Sequence, residues 1–143
     1  MPLLDRRAVE IQRDHRDPPP ANGRAQEEVL RRAQLLLDPD RMLVELALRN
    51  NASHRQLART LNTTCGTITR RLHRLGARLH DPLVIALLRE DCPVKPELRQ
   101  VGVEHLLQGL TLRQIADRHR MTISEVRRIL TYLRGWHSAA RTG

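Results

Sequence analysis

The 143-residue sequence has a single lysine, Lys95, no phenylalanine, one tyrosine and one tryptophan. Its core must therefore be aliphatic. Two cysteines, Cys65 and Cys92, stand in no metal-ligand spacing and are too few for a disulfide framework. No apolar run approaches the roughly 18 residues of a membrane span. The first residues, MPLLDRRAVE, carry charge where an export signal would be apolar. A reduced, cytoplasmic protein with no membrane partner is expected. A glycine-rich phosphate loop, a nucleophile elbow and a spaced carboxylate pair are all missing, so neither enzymatic activity nor a cofactor is expected. His73 and His80 can share a helix face, but without a nearby cysteine or carboxylate they predict no metal site. Strand signals are also absent: there is no alternating apolar run and little β-branched clustering.

What is abundant is arginine. The chain has 25 basic against 16 acidic residues, a formal charge of +9. The excess is not spread evenly. Residues 46–80 hold seven arginines and no acid, and residues 111–143 hold seven arginines and two acids. Residues 81–110 between them hold three basic residues and five acids. A codon bias toward arginine would not clear acids from one window. Two basic blocks of this kind are the expected footprint of a polyanion, nucleic acid above all.

Helix signals run along most of the chain, so the expected class is all-α. Residues 1–23, ending in Asp17-Pro-Pro-Pro-Ala-Asn-Gly23, read as a flexible arm, since three consecutive prolines cannot continue a helix. Residues 24–37 have helical apolar spacing. Asp38-Pro39 reads as a cap and first helical residue, opening a helix to about Asn50. Ser53-x-x-Gln56 is a capping box opening HRQLARTL. Thr64 caps a longer helix with Ile68, Leu72, Leu75 and Leu79 inward. A helix over 82–91 and the break Cys92-Pro-Val-Lys-Pro96 follow. A helix over 97–108 stops at Gly109. Thr111-x-x-Gln114 and Thr122-x-x-Glu125 are further capping boxes, the last opening a helix that stops at Gly135.

Displaced by 58 residues, the sequence overlays itself. Ser53 falls on Thr111, Gln56 on Gln114, Ala58 on Ala116, Thr64 on Thr122, Ile68 on Val126, Arg70 on Arg128 and Leu72 on Leu130. The expectation is two tandem tri-helical helix-turn-helix units, 24–80 and 97–135, joined by a helical linker over 81–96 and followed by a tail, 136–143. In each, a small alanine lets the two helices cross closely, and Cys65/Ile123, Ile68/Val126 and Leu72/Leu130 plug the second helix onto the others. Its opposite face is left for a DNA major groove.

SHRQLARTLNTTCGTITRRLHRL and TLRQIADRHRMTISEVRRILTYL resemble region 4 of bacterial sigma factors of the sigma-70 family, over roughly 41–80 and 98–135. The resemblance implies sequence-specific double-stranded DNA binding by the second helix of each unit, in a transcription regulator. The family's turn glycine is Asn62 and Arg120 here; Asn accepts left-handed backbone, Arg less readily. The strand-opening region of those factors has no counterpart. On the first unit the candidate DNA contacts are Thr64, Thr67, Thr69, Arg70 and Arg71 toward bases and Arg55, Arg59, Arg74 and Arg78 toward phosphates. On the second they are Thr122, Ser124, Glu125, Arg127, Arg128 and Thr131, with Arg113, Arg118 and Arg120 toward phosphates. Glu125 has a competing role as the reciprocal cap of Thr122. Because the two faces differ, they would read different bases.

Two other readings stay open. One is a protein-interaction adaptor for RNA polymerase, a partner that the resemblance also implies. The other is the DNA-recognition subunit of a larger machine, such as a phage small terminase. The apolar residues of 82–91 fit either packing between the units or a homodimer seam. Trp136 is expected to fold onto the second unit's core.

Overall fold

The computed structural model describes residues 20–142. The arm expected over 1–23 lies outside these residues up to position 19. Its last part is already helical, with Pro20 at the first helical position, where a missing N–H costs nothing. Among the described residues there are eight α-helices and no strand: α1 (Pro20–Ala33), α2 (Asp38–Leu48), α3 (His54–Thr60), α4 (Cys65–Leu79), α5 (Pro82–Leu87), α6 (Pro96–Leu106), α7 (Leu112–His119) and α8 (Ile123–Thr142). The chain is all-α and divides between His80 and Asp81 into two compact units. No helix is long and apolar enough to cross a membrane, among the described residues.

In the first unit α1 stops at Ala33, short of the expected Leu37. Three successive i→i−3 bonds, Gln34 to Arg31, Leu35 to Arg32 and Leu36 to Ala33, tighten the chain there. The N-cap of α2 is Leu37 rather than Asp38, with no side-chain bond, and Pro39 lies in the first turn. The core is aliphatic: Val29, Leu43, Val44, Leu57, Ile68, Leu72 and Leu79 are all at most 2% exposed. Arg32 crosses its edge and donates Nε to the carbonyl of Leu79 at 2.8 Å. Burial lowers the pKa of Arg32, opposed by Glu28.

In the second unit the apolar face of α5 is spent inside the fold. Leu83 and Leu87 join Val94, Val101, Ile115, Val126, Leu130 and Leu133 in one core. The helix is also shorter than the expected 82–91, and of its large apolar residues only Ile85 is exposed. A dimer seam on 82–91 would have too little apolar surface left. The helix α8 does not stop at Gly135. A lone exposed glycine costs a helix only about 1 kcal/mol, and beyond it Trp136 packs against the unit's core.

The repeat is visible in the elements themselves. Asp38–Leu48 and Pro96–Leu106 are displaced by 58 residues at both ends. The first residues of α3 and α7, and of α4 and α8, keep the same displacement. It extends back to α1 and α5, where buried Val29 corresponds to buried Leu87.

Candidate nucleic-acid interface

Each unit places two helices around a short turn by the same hydrogen bonds. Ser53 Oγ accepts from the Gln56 N–H at 3.1 Å and Gln56 Oε1 accepts from the Ser53 N–H at 2.8 Å. Thr111 and Gln114 repeat both distances. After the first helix the Thr63 N–H reaches back to Ala58 O, and the Met121 N–H to Ala116 O, each at 2.9 Å. This closure requires a left-handed residue, and Asn62 and Arg120 both have φ 55°. Arg120 thus adopts the strained conformation that its side chain disfavours.

On α4 the inward face is complete, with Ile68, Leu72, Leu75, Gly76 and Leu79 buried. The outward face carries Thr64, Arg70 and Arg74, exposed, and Thr67, Arg71 and Arg78, half-buried. Thr64 Oγ1 accepts from the Thr67 N–H at 3.2 Å and shares a hydroxyl bond with Thr67 Oγ1 at 2.9 Å. Arg70 Nη2 leans on Thr67 Oγ1 at 3.4 Å. These contacts line three candidate base-reading groups along the first turns of the helix. Arg71, Arg74 and Arg78 surround a polar cleft of about 210 Å³ with Asp40 and Leu75. Arg71 is committed there, its Nη2 lying 3.1 Å from Asp40 Oδ1. Arg55 and Arg59 are exposed on α3. Among the described residues, no carboxylate pairs with Arg55, Arg59, Arg70, Arg74 or Arg78.

Two expected positions fall elsewhere. The Thr69 hydroxyl donates to Cys65 O at 3.0 Å and lies 2.8 Å from His54 Nδ1. With that proton committed to the carbonyl, His54 is the donor, and the pair ties α3 to α4 instead of facing outward. Cys65 is exposed rather than part of the core. It opens the helix, so by spacing it continues the inward stripe but has no element over it.

On α8 the residues Thr122, Ser124, Glu125, Arg127 and Arg128 are exposed, as are Arg113 and Arg120 nearby. Glu125 serves as the reciprocal cap: its Oε2 accepts from the Thr122 N–H at 3.3 Å, and Thr122 Oγ1 accepts from the Glu125 N–H at 3.1 Å. Glu125 and Arg128 also flank an apolar groove of about 460 Å³ between Leu98, Met121, Ile129 and Tyr132.

One buried polar cluster has no signature in the spacing of its residues. Glu104, 1% exposed, lies inside the second unit. Its Oε1 is 2.6 Å from His119 Nε2, and its Oε2 accepts from Gln100 Nε2 at 3.1 Å with Arg118 Nη1 at 3.6 Å. At the repeat-related positions the first unit has Leu46, Leu61, Met42 and Thr60. No group of three or more metal-ligating side chains lies together among the described residues. Comparison of the chain with protein-family models, with curated proteins and with solved structures returned no match.

Proposed function

We propose that the chain binds double-stranded DNA sequence-specifically as a transcription regulator. In this reading α3–turn–α4 and α7–turn–α8 are tandem helix-turn-helix elements, and α4 is the principal reader of bases. The observation that carries it is the outer face of α4. There Thr64, Thr67, Arg70 and Arg74 line one side of a helix whose other side is wholly buried. Arg70 and Arg74 have no carboxylate partner among the described residues. The exposed guanidinium of Arg70, in the first half of the helix, suits a major groove, with a bidentate bond to guanine the commonest specific contact. Arg55, Arg59, Arg74 and Arg78 supply the phosphate contacts that fix orientation. Arg113, Arg120 and Arg127 add the same capacity on the second unit.

The test is selection of bound sequences from random duplex DNA, followed by affinity measurement over a salt series. The expected result is an enriched motif and a log K that falls by about 0.9 per neutralised phosphate as log salt rises. Arg70→Ala should cost about 1–3 kcal/mol and relax one position of the motif. Arg74→Ala should weaken all sequences alike and lower the salt slope by about 1. Absence of enrichment, with weak binding at physiological salt, would overturn the reading.

A further inference from the structure

The repeat allows the two outer faces to be compared position by position. The six residues lining the groove of the second unit are Leu98, Met121, Glu125, Arg128, Ile129 and Tyr132. The same positions of the first unit are Asp40, Thr63, Thr67, Arg70, Arg71 and Arg74. One face is thus cationic and polar, and its counterpart is an apolar strip with one charge of each sign. The Asp40–Arg71 ion pair at 3.1 Å becomes Leu98 and Ile129. Arg74 becomes Tyr132, which is 51% exposed. A face that exchanges two arginines for isoleucine and tyrosine has lost affinity for phosphate and gained affinity for another apolar surface.

We propose that this groove is the seam of a homodimer, in which α8 packs antiparallel against α8 of a second copy. Charge and spacing select that occupant. Glu125, Arg128 and Tyr132 share one face of α8 by their three-four spacing, and Met121, four residues before Glu125, lines the same groove. Read backwards, the row is its own complement. A two-fold axis midway between Glu125 and Arg128 sets Glu125 against the partner copy's Arg128, and Met121 against the partner copy's Tyr132. It does so twice, as an isologous contact must. The ion pairs lie beside the axis with a Met121–Tyr132 contact outside each, and thioether sulfur against an aromatic ring is a favourable contact. A partner surface of either single charge would leave Glu125 or Arg128 facing its own sign. The first unit has no such complement: in the same register Arg70 and Arg74 would face Thr67 and Thr63, which supply no opposite charge. The seam does not depend on DNA binding. Only its consequence does: a dimer presents two α4 faces, so the DNA site should contain the motif of the first unit twice.

The experiment is the mass of the full chain in DNA-free buffer, by light scattering during size exclusion over a concentration series. The wild-type protein should give twice the 16.5 kDa chain mass. Tyr132→Arg, the residue of the first unit, should give 16.5 kDa. Arg128→Glu and Glu125→Arg should each be monomeric alone. Their equimolar mixture should recover the dimer, because the mixed pair restores both salt bridges. That recovery also shows that both variants are folded. Arg128→Glu leaves the Thr122 cap intact and is the cleaner single change. A wild-type monomer at every concentration would overturn the seam and leave the groove to a different protein. A dimer that survives Tyr132→Arg and both charge reversals would place the contact elsewhere. Reversals that dissociate the dimer without rescue on mixing would overturn the antiparallel pairing. Failure of the DNA reading is separate, since it shows as absence of motif enrichment and leaves these masses unchanged.

Discussion

Replacing Gly102 by alanine inserts one methyl group where two leucines already meet. A Cβ built there would lie 2.7 Å from Leu87 Cδ1 and 2.8 Å from Leu133 Cδ1, well inside the ordinary carbon contact of about 3.5–4.0 Å. Neither leucine has open space to retreat into, at 1% and 0% exposed. Overpacking of this kind costs about 1–3 kcal/mol. The same change gains about 1 kcal/mol of helix propensity, because Gly102 lies inside α6. Gly102→Ala should therefore destabilise the second unit by about 0–2 kcal/mol. Gly135→Ala is the internal control. It lies inside α8 with nothing within 4 Å of its Cβ, so it keeps the propensity gain alone, about 1 kcal/mol of stabilisation. Urea unfolding followed by fluorescence of Trp136, the one tryptophan, reports this unit. The two variants should differ by about 1–3 kcal/mol with equal denaturant slopes. Leu87→Val in the Gly102→Ala background should recover part of the loss. Equal stability of the two alanine variants would refute the packing argument.

Removing one partner of the buried cluster should be worse than removing both. His119→Leu or Glu104→Leu alone breaks a buried pair, which costs about 3–5 kcal/mol when fully enclosed and less here because His119 is 27% exposed. The double variant, which copies Leu46 and Leu61 of the first unit, should regain most of it in a denaturation cycle. The pKa of His80 is held below its ordinary value of 6.5 by burial first and by Arg32 next. Below that pH the unfolded chain therefore takes up a proton that the folded chain does not. Stability should fall as the pH drops through that window, and His80→Gln should flatten the acid limb of a melting profile. Arg120→Gly removes left-handed strain at φ 55° and should raise stability by about 0.5–1 kcal/mol in the Trp136 signal. An unchanged midpoint would mean that the turn bears no strain.

Local signals were legible where a side chain bonds within its own helix turn. All three capping boxes, Ser53–Gln56, Thr111–Gln114 and Thr122–Glu125, form as their spacing requires. The inward stripes of α4 and α8 follow from the 3.6-residue period. What stayed hidden depends on partners distant in the chain. Thr69 looks outward by spacing, but His54 lies 15 residues away, and nothing in either segment announces the bond. Glu104 and His119 are also 15 residues apart, so a carboxylate on an inward stripe has no visible reason until both helices are packed. The end of α8 was misplaced for a related reason. Gly135 is a plausible stop on propensity alone, and only the packing of Trp136 carries the helix past it.

The two copies differ in ways that show which changes the fold itself demanded. Val29 and Val44, both buried, become Leu87 and Gly102, one side chain growing as the other vanishes. Asp40 and Arg71 become Leu98 and Ile129, so no charge is left without a partner. Leu46 and Leu61 become Glu104 and His119, so the carboxylate that enters the interior brings its imidazole with it. Each is a paired exchange, and each is complete inside the chain, because contacting atoms must fit in volume and in charge. The change from Arg74 to Tyr132 is different in kind. Its ring lines the groove with Leu98, Met121 and Ile129 yet stays 51% exposed, and burial of the rest by another molecule would stabilise the contact. The fold accounts for the paired exchanges without reference to anything outside it. Tyr132 is where that account stops, and in the proposed dimer a second copy of the chain would supply the missing half of the pair.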